Sequence, residues 1–179
     1  MKSSLALLFA TSALAVACAA PTDDPSSATD EELRTSNEKT AFTFFVGKGL
    51  SEEQSAAIVG NLEQESSIDP SAVQLGGGLG RGIAQWSVGA RWNVTRNDNV
   101  TWFAARQGAS PHALGLQLAF IWYELETFSP YGLASLRAAR SVEAATLAFE
   151  EHFEACGRCN TGQRVAAAHA VLATYGHGG

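Results

Sequence analysis

The sequence predicts a mainly α-helical fold in a single domain, and three observations carry that prediction. Apolar residues recur at three- and four-residue steps through most of the chain after Lys39. No convincing run of alternating strand residues appears. Capping residues such as Ser51 and Ser141 and a breaker such as Asp69-Pro70 mark the ends of periodic stretches.

The first helix carries an apolar stripe of Ala41, Phe42, Phe45 and Val46 and closes at Gly47 and Gly49. Ser51 opens the second, with Gln54 in the capping-box position, and Ala56, Ala57, Ile58, Val59 and Leu62 supply its apolar series. That helix should end near Ser66, because Asp69-Pro70 cannot continue it. Gly76 to Gly82 lacks the Lys-Ser/Thr of a phosphate loop and reads as a flexible loop. Further helices are predicted at about 99–107, 112–127, 130–139, 141–154 and 161–174. Leu114, Leu118, Ile121, Trp122 and Leu125 form the core face of the longest; Ser141 caps the one that buries Val142, Ala145, Phe149 and Phe153.

The N-terminus is made of different material. Lys2 precedes an apolar run from Leu5 to Val16, too short to span a bilayer, and Ala15-Val16-Ala17-Cys18 follows. Residues 1–17 are expected to be an export signal of the bacterial lipoprotein type, with Cys18 as the lipidated first residue; a plain cleaved signal is the alternative. Residues 18–38 are rich in Pro, Ser, Thr and acids and are expected to form a disordered acidic tether, leaving 39–179 as the domain. Residues 1–38 hold two of the twelve basic and six of the eighteen acidic residues, so the domain carries a net −2. With no basic stripe, nucleic acid is not an expected partner.

The chemistry concentrates between Gly60 and Ser87. Glu65 stands at the end of an amphipathic helix, and a glycine-rich turn about fifteen residues later carries Gln85 and Trp86. Glycoside cleavage needs a carboxylic acid that keeps its proton near neutral pH, and a helix end beside apolar neighbours can provide one by desolvation. Glycines let the chain pass close to a sugar, an amide offers hydrogen bonds and an indole offers a stacking face. Glu63, on another face of the same helix, reads as a surface charge. Asp69 before Pro70 reads as shaping the turn.

Glu65-Ser66, Asp69-Pro70-x-Ala72 and Gly80-Arg81-Gly82-Ile83-Ala84-Gln85 resemble the signature shared by goose-type lysozymes and lytic transglycosylases. There a helix-terminal Glu-Ser is followed by Asn-Pro-x-Ala and Gly-Leu-Met-Gln. The domain resembles the phage tail lysozyme family still more closely, through A-F-T-F-F-V-G-K-G-L, I-V-G-N-L-E-Q-E-S, G-R-G-I-A-Q-W-S, A-R-W, Q-L-A-F-I-W-Y-E-L, Y-G-L and V-L-A-T-Y-G in the family's order over residues 40–176. Asp69 for Asn and the irregular stretch Val94 to Asn99 depart from the pattern. The resemblance implies a lysozyme-like all-α domain with a glycine-rich loop beside the active-site helix. It also implies cleavage of the bond between N-acetylmuramic acid and N-acetylglucosamine in peptidoglycan glycan strands.

Carried over by that resemblance, Glu65 is the general acid. Ser66 would hold the loop or an acetamido group, Gln85 would hydrogen-bond the sugar, and Trp86 would stack or close the floor. Tyr123 would stand near the acid. A two-carboxylate scheme would need a partner, for which Asp98 and Glu124 are candidates. A lytic transglycosylase can work with one Glu while the substrate's own 6-hydroxyl attacks, and a non-catalytic glycan-binding module is the alternative from another class. Cys156 and Cys159 are expected to form a disulfide outside the cytoplasm. A zinc set of His152, Cys156, Cys159 and His169 matches no common ligand spacing, so no metal is expected. The expected protein is an exported, membrane-anchored or secreted monomer without a cofactor.

Overall fold

The computed structural model describes residues 25–156 and 159–177; Cys18 and the expected signal over 1–17 lie outside them. In chain order the described residues form α1 (Pro25–Gly47), α2 (Glu52–Ser66), the two-residue strands β1 (Gly80–Arg81) and β2 (Trp86–Ser87), α3 (Val100–Gln107), α4 (Leu114–Thr127), α5 (Leu133–Ala138), α6 (Val142–Phe149), a π-helical turn (Glu150–Glu154) and α7 (Thr161–Tyr175). The fold is mainly α, with one minimal antiparallel hairpin pairing Gly80 with Ser87 and Arg81 with Trp86. No described helix is long and apolar enough to cross a membrane.

Helix α2 is central, packed against α7, α6 and α1. Its unbroken buried run from Gln54 to Leu62 follows from being covered on every side. The predicted capping box is present: Ser51 Oγ accepts from the Gln54 amide at 3.3 Å and Gln54 Oε1 accepts from the Ser51 amide at 3.0 Å. Gln54 Nε2 then donates to the carbonyls of Arg137 and Ala139, tying the start of α2 to the end of α5. At the other end Ser67 and Ile68 both take left-handed backbone, with φ of 54° and 53°. For the β-branched Ile68 this costs on the order of 1–3 kcal/mol. Complete burial of its side chain and a 3.0 Å hydrogen bond from Asn37 Nδ2 to its carbonyl hold it there.

Two expectations change at the N-terminus. The tether assigned to 18–38 is helical from Pro25, because polar anchors hold α1 where apolar burial is missing. Arg34 donates to Glu31, Glu38 and Glu63, and the Tyr175 hydroxyl donates to the Thr35 carbonyl. Glu63 is consequently no surface charge. Covered by α1, one of its carboxyl oxygens is buried without a partner, and burial with neighbouring Glu38 pushes its pKa up to about 7.

Gly60 sets the spacing of α2 and α7: a Cβ there would meet the Ala168 amide nitrogen at 2.5 Å. A Gly60→Ala change should therefore destabilise the fold by about 3 kcal/mol, the backbone overlap outweighing a helix-propensity gain of about 1 kcal/mol. Urea unfolding of the variant checks this.

Candidate active site

The last turn of α2 brings Glu65 to the rim of a groove of about 470 Å³, within the range of small-ligand sites. Glu65, Ser66, Ala72, Val73, Gln74, Leu75 and Gln85 line it. Glu65 keeps about 20% of its side chain exposed, and its carboxylate is held from behind by the Arg164 guanidinium, itself 6% exposed. Asn61, one turn earlier on α2, receives the other arm of that guanidinium on its carbonyl (3.2 Å) and side-chain oxygen (3.1 Å). Arg164 Nε lies 3.7 Å from Glu150 at the start of the π turn. One cation thus ties α2, α7 and the π turn together beneath Glu65.

The opposite wall is the glycine-rich segment, which is a folded hairpin and not the flexible loop that its composition suggests. Gly82 N donates to Ala72 O (2.9 Å), Gln74 N to Gly80 O (3.0 Å) and Val88 N to Leu79 O (2.9 Å). Ser66 Oγ donates to Ile83 O at 2.9 Å, so its hydroxyl clips helix to hairpin. Asp69 Oδ1 accepts from the Ser71 amide at 2.8 Å, shaping the turn after α2. Gln85 has left-handed backbone, φ 47°, which turns its side chain to the groove wall, and Nε2 donates to Gly82 O at 3.0 Å.

The groove does not gather every expected residue. Trp86 is 2% exposed, stacks edge-on to Phe120 and donates its indole N–H to Glu124 Oε2 at 3.1 Å, so it offers no stacking face to a sugar. Val73 and Leu75, 56% and 94% exposed, supply the apolar surface at the groove instead. Tyr123 packs among Trp102, Phe103, Phe120 and Phe128 and donates its hydroxyl to Asn97 O. Neither candidate partner carboxylate lines the groove. Glu124 is fully buried in a two-pronged ion pair with Arg91 at 2.7 and 2.8 Å. Asp98 accepts from the Tyr131 hydroxyl at 2.7 Å. Among the described residues lining the groove, Glu65 is the sole acid.

A matching family model covers residues 36–175 and is described as phage tail lysozyme. The chain belongs to the phage tail lysozyme family. Membership supports a lysozyme-like, peptidoglycan-cleaving glycosidase in general terms and a single helical domain. The match begins inside α1, in keeping with a folded region that starts before Lys39. No curated protein matches the chain.

The irregular stretch that departs from the family pattern, 94–99, is a turn with Asn97 at φ 57°, and it ends where Asn99 caps α3 by accepting from the Trp102 amide at 2.7 Å. Cys156 and Cys159 are joined in a disulfide, Cα atoms 5.5 Å apart, and His169 Nε2 lies 2.7 Å from Glu143. Two site-supporting residues escaped sequence reasoning: Arg164 and Gln117. The signal for Arg164 was a cation at the head of the core stripe Arg164–Ala168–Val171. Gln117 had none, being an ordinary polar residue in an apolar helix. It is fully buried, with Oε1 accepting from Ile83 N (2.9 Å) and Nε2 donating to Pro70 O (2.8 Å) and Pro111 O (2.7 Å).

A Gln117→Leu change should strand those three backbone groups, costing about 3 kcal/mol. Faster amide exchange at Ile83, measured by NMR, should accompany the loss.

Proposed function

We propose that this family member is a muramidase that cleaves the bond between N-acetylmuramic acid and N-acetylglucosamine, with Glu65 as the general acid. One observation carries this: a partly exposed carboxylate, anchored from behind, faces a groove floored by backbone and a clipped hairpin. Glu65 donates a proton to the leaving glycosidic oxygen, the C1–O bond breaks toward that oxygen, and an incoming hydroxyl completes the exchange. Gln85 hydrogen-bonds the sugar, while Val73 and Leu75 give it an apolar contact. Ser66 acts on the hairpin rather than on substrate.

The sole lining acid also favours a second reading, a lytic transglycosylase in which the substrate's own 6-hydroxyl attacks. Delivery to the envelope through a lipid on Cys18, with the domain working as a monomer on glycan strands, completes the proposal.

Mass spectrometry of fragments released from purified peptidoglycan separates these readings. Reducing disaccharide ends indicate hydrolysis and 1,6-anhydro ends indicate transglycosylation. Glu65→Gln should lower release by at least about 100-fold, the contribution of a positioned general acid. A fully active Glu65→Gln would reject the assignment, and a wild type that binds glycan without cleaving it would leave a binding module.

A further inference from the structure

Arg164, on the first turn of α7, divides its guanidinium among three side chains. Nη1 donates to the Asn61 carbonyl and side-chain oxygen at 3.2 and 3.1 Å, and Nη2 donates to Glu65 Oε1. Nε is buried and has no acceptor. Glu150, at the start of the π turn, is left in the complementary state. Its Oε1 accepts from the Thr161 hydroxyl at 2.7 Å, while Oε2 is buried and has no donor. These two orphans face each other, with Arg164 Nε 3.7 Å from Glu150 Oε2. Closing that gap to an ordinary hydrogen bond takes a movement of about 0.8 Å.

Nε and Nη2 form the edge of a guanidinium that clamps one carboxylate with two parallel bonds. Here the edge is split, Nη2 to Glu65 and Nε toward Glu150. An unsatisfied donor buried opposite an unsatisfied acceptor is costly, so the negative charge of Glu65 is what keeps the edge divided. The remaining charged groups around this cluster do not compete for Arg164. Arg91 is paired with Glu124, and burial pushes Glu154, on the π turn, up to about 8, leaving it mostly uncharged at neutral pH. One cation therefore serves two carboxylates, and a proton on Glu65 leaves Glu150 as its charged partner.

We propose that Glu150 is a positioning residue of this site: when Glu65 takes up a proton, the Nε–Nη2 edge of Arg164 leaves Glu65 and closes on Glu150, which frees Glu65 to turn that proton toward the groove. The proposal rests on the glycosidase reading above. Nη1 stays on Asn61 throughout, so the guanidinium pivots and does not leave its place. Glu65 takes its proton from solvent and gives it to the leaving oxygen, the C1–O electron pair goes with that oxygen, and the restored Glu65 carboxylate draws Nη2 back. Glu150 never touches substrate; it acts through Arg164.

NMR of the arginine side chains tests the exchange without activity, with Glu65→Gln standing in for the protonated acid. In a folded Glu65→Gln the Arg164 Nε–H signal should move downfield and exchange with solvent about tenfold more slowly than in wild type, as one added hydrogen bond to a charged group would cause. Adding Glu150→Gln should abolish both changes. In peptidoglycan cleavage, Glu150→Gln keeps the acceptor for Thr161 but removes the charge. It should lower kcat near neutral pH about tenfold with KM within about twofold, and move the alkaline limb of kcat/KM acidward by about one pH unit. Glu150→Asp, which keeps the charge, should return both toward wild type. An unchanged Nε–H signal in a folded Glu65→Gln, or an unshifted pH profile in a folded Glu150→Gln, would overturn the proposal. A wild type that cleaves nothing at any pH would reject the glycosidase reading, while the NMR comparison still decides whether Arg164 changes partner.

Discussion

The ion pair between Glu65 and Arg164 is the constraint on which the rest of the molecule depends. A guanidinium buried at the α2–α7 interface must be matched by acceptors, and Asn61, Glu65 and Glu150 supply them from two elements. That requirement fixes the rotation of α2 about its axis, since Asn61 and Glu65 lie one turn apart on the same face. It also fixes the approach of α7, which Gly60 makes close enough by offering no side chain to Ala168. The catalytic candidate is therefore an exposed corner of a core interaction, and its position is as rigid as the core.

The groove's other wall is held by buried polar ties where a larger sheet would have used a ladder. Gln117 binds three backbone groups from separate loops, Ser66 clips α2 to the hairpin, and the Trp86–Glu124–Arg91 set fastens β2 to α4. These ties offset left-handed backbone at Ile68 and Gln85, each costing on the order of 1–3 kcal/mol. Strain at the end of α2 and in the hairpin thus flanks the groove on both sides.

Helix positions were legible because period and caps agreed: Ser51 and Ser141 each cap the helix that follows. The general placement of Glu65 beside a glycine-rich segment was legible too, from the Glu-Ser and glycine spacing. Three things were not. The helicity of 25–38 depends on Arg34 reaching Glu63, a contact across 29 positions that composition cannot reveal. Trp86 beside Gln85 looked like a sugar platform, yet Gln85 takes left-handed backbone just before the strand, and the indole found a buried acceptor in Glu124. Glu150, which meets the same Arg164 that anchors Glu65, is brought there by a π turn inside an otherwise ordinary helical pattern.

A double-mutant cycle on the stability of Glu65→Gln, Arg164→Met and the combined variant tests the central claim most directly. Urea unfolding at neutral pH should give a coupling energy of about 2–4 kcal/mol, since either single change strands a partly buried charge. A coupling below about 0.5 kcal/mol would mean that Arg164 does not anchor Glu65, and the account of the site as a corner of the core would fail.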